Sequence, residues 1–359
     1  MNAELLILSN NGISCKKYKQ AKQQMKKDQS LNSFVMTNSS AINIFGKDKI
    51  EDLKTQLHPD FVEKYTQEMK DLHISFITCE DSAYPISLKC AEDYPLVIYY
   101  SGDISLLSKT MITIVGSRTP TQYGQMMAEK FTKELALAGL VTISGLAYGI
   151  DSIVAKTTLE NKGKTIAFLA GGLKKIYPEE HVPLARKIVK SGGLVMSTYP
   201  PYKSALKFSF LERNKIMSLL SKGTLIIEAG LKSGTISTAN YTIENGRELF
   251  VLPGHVNSSK SEGSNSLIEQ FPETFTVSSS KILSKLGINY ELKKGDNNTV
   301  ALDEDELLIL GAIIDEEKSL EEIADITKLE IKIVNIKLTT MEINGLIKKL
   351  PGNFYIGIK

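Results

Sequence analysis

The middle of the chain alternates short apolar runs with longer segments of helical spacing. The runs at 112–115 and 141–144 have apolar residues at five of their eight positions, the others being Thr or Ser, and each is followed by an amphipathic stretch. Nearly continuous apolar strands separated by helices are typical of a parallel sheet that is covered on both faces. The pattern predicts strands at 112–115, 141–144, 165–170, 194–197, 224–228 and 249–252, and helices at 122–138, 151–160, 179–191, 211–220 and 235–245.

The flanking segments follow other patterns. The first 75 residues have period-3.6 spacing and few glycines, which predicts a small module of short helices at 16–25, 41–45, 50–57 and 61–72. Residues 74–103 contain two β-rich runs interrupted by Tyr84-Pro85 and Tyr94-Pro95, as expected for edge strands. The last 58 residues predict three helices and a terminal hairpin, which together form a winged-helix-like unit.

The loops after the six central strands all carry glycine or proline. Right-handed crossovers would place these loops along one edge of the sheet. The first strand ends at Gly116, Ser117 and Arg118, and Arg118 is one of only four arginines among 43 basic residues. Glycine lets a backbone approach a ligand closely, helix N-termini attract anions, and arginine can donate two hydrogen bonds to one phosphate. This edge is therefore predicted to be a phosphate-lined cleft.

A second stretch adds aromatic rings to the charge. The run FSFLERNK at 208–215 combines Phe208 and Phe210 with Arg213 and Lys215, directly after Lys207. Proteins that hold single-stranded nucleic acid alternate phosphate contacts with rings on which bases stack. We expect one phenylalanine to lie in the core and Phe210, the closer to Arg213, to stack on a base.

Composition and missing motifs narrow the function further. A chain of 359 residues that is 42% hydrophobic and 23% charged is an ordinary globular mixture, without an apolar run of membrane-spanning length or a secretory signal, so we expect a cytoplasmic protein. Three cysteines without a CxxC pair and four histidines without metal spacing predict neither a disulfide framework nor a metal site. The sequence has no P-loop, no GxGxxG turn and no GxSxG elbow. Asp151 at a helix start and Glu228 at a strand end suit structural roles, so we expect no catalytic residue and no cofactor.

The net charge of +2 hides a partition along the chain. Residues 111–275 hold 19 Lys and Arg against 13 Asp and Glu, whereas 301–359 hold 7 against 12. A polyanion would prefer the middle of the chain, although scattered surface lysines would also explain that excess. Because like charges repel, we expect the acidic C-terminal unit to contact protein rather than duplex DNA.

Two classes of function stay open on these residues alone. One is a non-catalytic binder of single-stranded DNA. The other is a Rossmann relative that senses or hydrolyses a small nucleotide through Gly116, Glu228 and Gly234-Thr235. The basic and aromatic run favours the strand binder, because a mononucleotide site needs no extended track.

A series of motifs in fixed order resembles the DprA/Smf family of DNA-processing proteins. The motifs are VGSR (115–118), SGLAxGID (144–151), YP (177–178), SxYPP (197–201), RNKI (213–216), SGTxxTA (233–239), GRELFVLPG (246–254) and GxNxLI (263–268). The resemblance implies an extended Rossmann core that binds single-stranded DNA, forms a homodimer and loads a RecA-type recombinase onto DNA during natural transformation. It also implies that the N-terminal helices resemble a sterile-alpha-motif-like module and that the tail is a winged helix.

The expected fold is therefore an α/β, extended Rossmann-like parallel sheet core with a helical module before it and a winged-helix-like domain after it. The parts are expected at 1–75, 76–275, 276–301 (a linker) and 302–359. The candidate nucleic-acid-binding residues are Gly116, Ser117, Arg118, Gly145, Lys207, Phe210, Arg213, Asn214, Lys215, Ser233, Gly234 and Thr235.

The chain departs from the family pattern at four places. The family usually has Arg where Tyr148 stands, His where Ala155 stands, Glu where Thr198 stands, and FPxRNR where 210–215 reads FLERNK. The departures at Tyr148 and Ala155 fall in and after the second loop, so the sites of the first loop and of the fourth and fifth loops are the stronger expectations.

Overall fold

A computed structural model describes residues 2–290, 302–343 and 345–358 of the chain. The chain divides into two compact units, Met1–Glu291 and Leu292–Lys359. Within the described residues, no helix combines the length and apolar character needed to cross a membrane.

The first unit is built on one eight-stranded sheet. Its strands are β1 (Ser75–Thr78), β2 (Val97–Gly102), β3 (Met111–Val115), β4 (Val141–Ser144), β5 (Thr165–Phe168), β6 (Leu194–Ser197), β7 (Gly223–Ile226) and β8 (Glu248–Val251). The spatial order is β1-β2-β6-β5-β4-β3-β7-β8, and strands β3 to β8 are parallel to one another. At one edge, β2 pairs antiparallel with both β6 and β1. The six predicted central strands and the two edge strands are confirmed.

The strand order reverses next to β3. The chain runs outward from β3 through β4, β5 and β6, then returns to place β7 on the other side of β3. In open α/β sheets such a reversal separates the loops after two neighbouring strands and leaves a crevice at their carboxyl ends. The sheet therefore supplies a binding position between the loops that follow β3 and β7.

Helices pack on both faces of this sheet, as the unbroken burial of its central strands requires. They are α7 (Gln122–Leu137), α8 (Ile150–Glu160), α9 (Val182–Lys190), α10 (Lys207–Leu220), α11 (Gly234–Glu244), α12 (Glu262–Gln270) and α13 (Ser279–Lys285), and single 3-10 turns occur at Ile86–Cys90, Ile104–Ser108, Glu179–His181 and Pro272–Thr274. The start of α10 was expected near residue 211 and lies at Lys207. The Ser209 hydroxyl accepts a hydrogen bond from the Leu206 N–H at 2.8 Å, which caps the helix one turn earlier.

The N-terminal segment is helical, as expected, and contains two helices that the periodicity did not reveal. The helices are α1 (Glu4–Asn10), α2 (Cys15–Gln24), α3 (Leu31–Thr37), α4 (Ser40–Phe45), α5 (Lys47–Gln56) and α6 (Pro59–Asp71). Helix α1 has no amphipathic signal because Leu5, Leu6, Ile7 and Leu8 are all buried. The Tyr99 hydroxyl on β2 donates a hydrogen bond to Asn10 at 3.0 Å, so the helices and the sheet share one core.

The packed unit extends beyond residue 275. Ile282 and Leu283 on α13 are buried, and the Ser279 hydroxyl donates a hydrogen bond of 2.5 Å to Glu134 on α7. Part of the expected linker, 276–290, therefore contains a packed helix, and its remainder at 291–301 lies outside the described residues. The four-part division of the chain stays a prediction.

The second unit has the winged-helix order of elements, as expected. Its elements are α14 (Glu304–Ile313), β9 (Lys318–Ser319), α15 (Leu320–Thr327), α16 (Ile331–Ile343), β10 (Ile347–Leu350) and β11 (Phe354–Gly357). The three strands pair antiparallel in the order β10-β11-β9. A separate core that includes Ile309, Ile323, Val334 and Leu338 holds the three helices together.

Candidate nucleic-acid interface

An open cleft of about 1080 Å³ lies at the carboxyl edge of the parallel strands. It is bounded by the loop after β3, the loop after β7 and the first two turns of α10. This is the crevice that the reversal of strand order creates.

Most of the residues expected from the sequence meet in this cleft. Gly145 and Lys215 do not line it: Gly145 lies beneath Arg213, and Lys215 is exposed on another side of α10. The ten that do line it are Gly116, Ser117, Arg118, Lys207, Phe210, Arg213, Asn214, Ser233, Gly234 and Thr235.

The loop after β3 is held tightly from beneath and leaves Arg118 exposed. A Cβ on Gly116 would lie 2.7 Å from the Ile150 side chain, so this position has room only for glycine. The Ile150 N–H donates a hydrogen bond to the Ser117 carbonyl at 3.1 Å. Gly149, at φ 72°, would place a Cβ 2.4 Å from the same carbonyl oxygen. The second loop therefore acts as a support for the first.

Arg213 is buried beneath the cleft and pairs with Asp151. Its Nη1 lies 3.8 Å from Asp151 Oδ2, and both side chains are more than nine-tenths buried. Nη1 also donates to the Phe168 carbonyl at 3.3 Å, whereas Nε has no hydrogen-bond partner among the described residues. A Cβ on Gly145 would lie 1.1 Å from Nη1. Gly145 is thus the residue that makes room for the guanidinium.

The electrostatics of this pair follow from its burial. Burial raises the pKa of the Asp151 carboxyl, while Arg213 and the N–H groups of Ala147 and Gly145 counteract that rise. Those N–H groups donate to Asp151 Oδ2 at 3.3 and 3.0 Å. Burial lowers the pKa of Arg213, Asp151 opposes that change and the nearby charge of Arg118 adds to it. A guanidinium remains protonated regardless, so a fixed positive charge lies at the floor of the cleft.

Phe210 is the centre of a cluster of cations and rings. The guanidinium carbons of Arg118 and Arg213 lie 5.2 and 5.9 Å from the centroid of its ring. Tyr177 meets Phe210 with centroids 6.0 Å apart and planes at 76°. The distances fall in the range of cation–π and edge-to-face contacts.

The expectation that one phenylalanine of the run lies in the core is wrong. Phe210 is half-buried in the cleft wall, and Phe208 is 53% exposed. The buried face of α10 instead carries Ser209, Arg213 and Met217. Because successive helical residues are turned by 100°, Phe208 points away from that face.

The start of α11 forms the opposite wall. The Ser233 hydroxyl accepts a hydrogen bond from the Thr235 N–H at 3.1 Å, which caps the helix. Thr235 Oγ1 donates to the Gly116 carbonyl at 3.1 Å, and Asn214 Nδ2 donates to the Gly234 carbonyl at 3.3 Å. These bonds tie the loops after β3 and β7 to α10.

Several lining residues were not found from the sequence. Tyr177, Lys232 and Lys260 line the cleft, and Lys260 donates a hydrogen bond to Thr119 across the sheet edge. Tyr177 belongs to the YP motif at 177–178, whereas nothing in the sequence distinguishes Lys232 and Lys260 from the many other lysines of the chain. The described lining residues include five basic side chains and two acidic ones: Arg118, Lys207, Arg213, Lys232 and Lys260 against Asp151 and Glu262. The cleft is net positive and suits a polyanion.

Comparison with known proteins identifies the family of this chain. The family model described as DNA recombination-mediator protein A matches residues 75–287, which include the whole sheet and the cleft. The chain belongs to this family. Protein Smf of Escherichia coli is 33% identical over 285 residues, which cover 77% of this chain and 76% of that protein.

Solved structures of the family share the fold. DNA processing protein A from Streptococcus pneumoniae matches 81% of this chain and 99% of its own, with a TM-score of 0.68 and 27% identity. DNA processing protein A from Helicobacter pylori, from a structural study of its single-stranded DNA binding mode, matches 61% of this chain and 99% of its own, with a TM-score of 0.55 and 31% identity. The family resemblance and the fold class expected from the sequence are confirmed.

Tyr148 in the second loop contacts Glu180 and His181. The Tyr148 hydroxyl donates to Glu180 at 2.8 Å, and its ring meets His181 at 5.2 Å between centroids. His181 Nδ1 lies 2.8 Å from the Leu146 carbonyl. Ala155 is fully buried on α8. Tyr148 is 41% exposed, and neither residue lines the cleft.

Glu228 has a structural role in this member of the family. It is 2% exposed, and its carboxylate accepts hydrogen bonds from the N–H of Thr121, at 3.1 Å, and from the Thr121 hydroxyl. Thr121 is the residue that caps α7. A carboxylate committed to two donors beneath the loop is poorly placed to activate water on a bound nucleotide. This observation counts against the small-nucleotide alternative.

Proposed function

We propose that this chain binds single-stranded DNA in the cleft and acts as a non-catalytic mediator of recombination during natural transformation. The observation that carries the proposal is the pairing of exposed Arg118 with buried Arg213 around an aromatic ring, in a net-positive cleft. Phosphates need the cations and unpaired bases need the rings. The single-stranded DNA binding described for the Helicobacter pylori relative supports the same assignment.

The dimensions of the cleft favour a strand over a mononucleotide. A small-molecule pocket usually encloses about 300–1,000 Å³ and buries most of its ligand. This cleft, at about 1080 Å³, is slightly larger than that range and is open, and its cations extend from Lys207 to Lys260 along both walls. A chain of several nucleotides can reach all of them, because the backbone carries one phosphate per residue.

The remaining parts of the proposal concern partners. We propose a homodimer that hands the bound strand to a RecA-type recombinase in the cytoplasm, as the family resemblance implies. Light scattering of the purified chain tests the dimer. Recombinase filament assembly on strands coated by a strand-binding protein tests the loading step, with and without this chain.

Fluorescence anisotropy of a labelled oligo-dT strand tests strand binding directly. Arg118→Ala is compared with Arg186→Ala, which removes the same charge from an exposed position on α9 away from the cleft. We expect Arg118→Ala to weaken binding about 5- to 150-fold, by roughly 1–3 kcal/mol, since a charge-assisted phosphate contact is lost. The slope of log affinity against log salt should become shallower by about 0.7.

Arg186→Ala should bind as the wild type does, and a matched duplex should bind more weakly than the single strand. If the wild type binds no strand above background while a mononucleotide saturates it, the mediator assignment fails and the small-nucleotide function replaces it.

A further inference from the structure

Helix α2 and the turn after it concentrate the positive charge of the N-terminal part of the chain. Residues 15–28 hold six lysines against one acidic residue, whereas the rest of 1–110 holds seven basic residues against thirteen acidic ones. Lysines placed by composition alone would be scattered among the acidic residues. Their collection on one element instead makes a local positive field, which attracts polyanions.

Four of the six lysines are exposed and have neither an ion pair nor a side-chain hydrogen bond among the described residues. The other two are engaged: Lys22 pairs with Glu80 at 3.0 Å, and the half-buried Lys17 donates to the Phe45 carbonyl at 3.5 Å. The opposite side of α2 packs into the core. We call the four exposed lysines the α2 basic surface: Lys16, Lys19, Lys26 and Lys27.

Strand register places α2 at the same edge of the sheet as the cleft. The Cys15 N–H donates to Asp93 at 2.9 Å, and Lys19 Nζ lies 4.5 Å from the ring centroid of Tyr94. Both partners come just before β2, in which Tyr99 is opposite Ser197, the last residue of β6. Because β2 is antiparallel to β6, the start of β2 lies at the carboxyl end of β6. Helix α2 therefore lies beside the carboxyl ends of the parallel strands.

The loops between α2 and the cleft continue an exposed basic and aromatic surface. The loop after β6, the neighbour of β2, carries the exposed Lys203 and Tyr202, which is 55% exposed. The loop after β5 adds the exposed Lys174 and Lys175. Lys207 at the start of α10 then lines the cleft itself. These side chains lead along the sheet edge from the α2 basic surface to the cleft.

The distance between the two sites suits a nucleic-acid strand. Strands β2 and β3 are four positions apart in the sheet, and each spacing is about 4.8 Å, so roughly 20 Å separates the loop before β2 from the loop after β3. Neighbouring phosphates of one strand in a duplex are about 3.4 Å apart along the axis, so about six nucleotides cover this distance even at that compact spacing.

We propose that the α2 basic surface is a second phosphate-binding site, which takes the same single strand after it leaves the cleft. This inference rests on the proposed strand binding and deepens it. Lysine ammonium groups are point charges, so the site would hold backbone phosphates of any sequence. Because both sites belong to one compact unit, a strand held in the cleft meets the second site at a high effective concentration.

Strand length separates the second site from the cleft. Fluorescence anisotropy compares Lys16→Gln/Lys27→Gln with the wild type on oligo-dT of about 5 and about 30 nucleotides. We expect the variant to bind the long strand about 3- to 30-fold more weakly, as for the loss of two exposed charge contacts, and the short strand within about 1.5-fold of the wild type. On the long strand, the slope of log affinity against log salt should become shallower by about 1.4.

The matched control removes the same charge at the opposite edge of the sheet. Lys187 and Lys190 are exposed on α9, which ends just before the amino end of β6. Lys187→Gln/Lys190→Gln should bind both strands as the wild type does. Equal losses in the two double variants would reduce the effect to net charge and overturn the proposal. Losses from Lys16→Gln/Lys27→Gln that are equal on both lengths, confined to duplex DNA, or absent would also overturn it.

A spectroscopic probe tests the position of the strand directly, because the chain contains no tryptophan. Gln20 is exposed on α2, so Gln20→Trp places a single indole beside the α2 basic surface. Saturation with the long strand should change its emission, and saturation with the short strand should not. Leu137→Trp is the control, since Leu137 is 50% exposed at the end of α7, before the amino end of β4. An unchanged emission at position 20 with the long strand bound would refute the second site.

Failure of this inference differs from failure of the proposed function. If the wild type binds neither strand, the proposed function fails before α2 is tested. If Arg118→Ala weakens binding of both lengths while Lys16→Gln/Lys27→Gln binds both as the wild type does, strand binding in the cleft stands and the second site alone is wrong.

Discussion

Replacing Gly145 by alanine tests whether the buried ion pair supports the cleft. The added Cβ would lie 1.1 Å from Arg213 Nη1, 2.1 Å from Cζ and 2.6 Å from Nη2. Gly145 does not have a positive φ, so alanine is compatible with its backbone and the perturbation is steric. The Arg213 guanidinium therefore has to leave its position, and Asp151 loses its ion-pair partner.

The magnitude follows from the burial of that partner. Asp151 is 6% exposed and would keep only two backbone N–H donors. Removing one member of a buried ion pair typically costs about 3–5 kcal/mol, because the other charge is left uncompensated. We expect the free energy of unfolding of the first unit to fall by that amount, and strand affinity to fall as well because Phe210 loses its fixed neighbour.

Urea unfolding followed by tyrosine fluorescence measures this loss. Of the 14 tyrosines only Tyr355 lies in 292–359, so the signal reports the first unit. The unfolding midpoint should fall without a change in the slope m. The matched control is Gly234→Ala, where an added Cβ meets nothing within 4 Å, and its stability should change by less than about 0.5 kcal/mol.

An Arg213→Met background separates the clash from other effects of the added methyl group. Because the clash is with the guanidinium, Gly145→Ala should cost much less there than in the wild type. Two results would contradict this explanation: a free energy of unfolding of Gly145→Ala within about 1 kcal/mol of the wild type, or an equally large loss in the Arg213→Met background. In either case Gly145 would not be needed to make room for the ion pair.

Three other outcomes are expected. Glu228→Ala should lower the free energy of unfolding of the first unit by about 1–3 kcal/mol in the same urea assay, because Thr121 loses its acceptor. The affinity of the folded variant for single-stranded DNA should stay within about threefold of the wild type. A loss of binding without a loss of stability would contradict a structural role. Gly311→Ala should stabilise the second unit by about 1 kcal/mol in thermal unfolding followed by circular dichroism, since the added Cβ meets nothing within 4 Å inside α14. Isolated 301–359, with 7 basic against 12 acidic residues, should show no duplex DNA binding by anisotropy in about 0.15 M salt, and measurable binding would reverse our view of this unit.

Much of the fold is local in origin and could be predicted. The central strands are rich in apolar residues because both faces of the sheet are buried. Such short apolar runs can be recognised in the sequence without knowing which segments pack against them. The start of α10 could not be placed, because it depends on one hydroxyl that closes back on Leu206. Helix α1 was missed for a related reason: it is buried on all sides, and full burial removes the amphipathic pattern.

The sequence by itself determined the alternation of strands and helices in the central domain, the family, and a glycine turn at Gly116 with a basic and aromatic run near Arg213, for which phosphate binding is our proposal. These features depend on residue types and short spacings along the chain. Only the tertiary structure decided that Arg213 is buried against Asp151, that Phe210 lies within 6 Å of two guanidinium groups, and that Tyr177 and Lys260 line the cleft. Those contacts join residues from different loops, and which loops meet is set by the reversal of strand order beside β3.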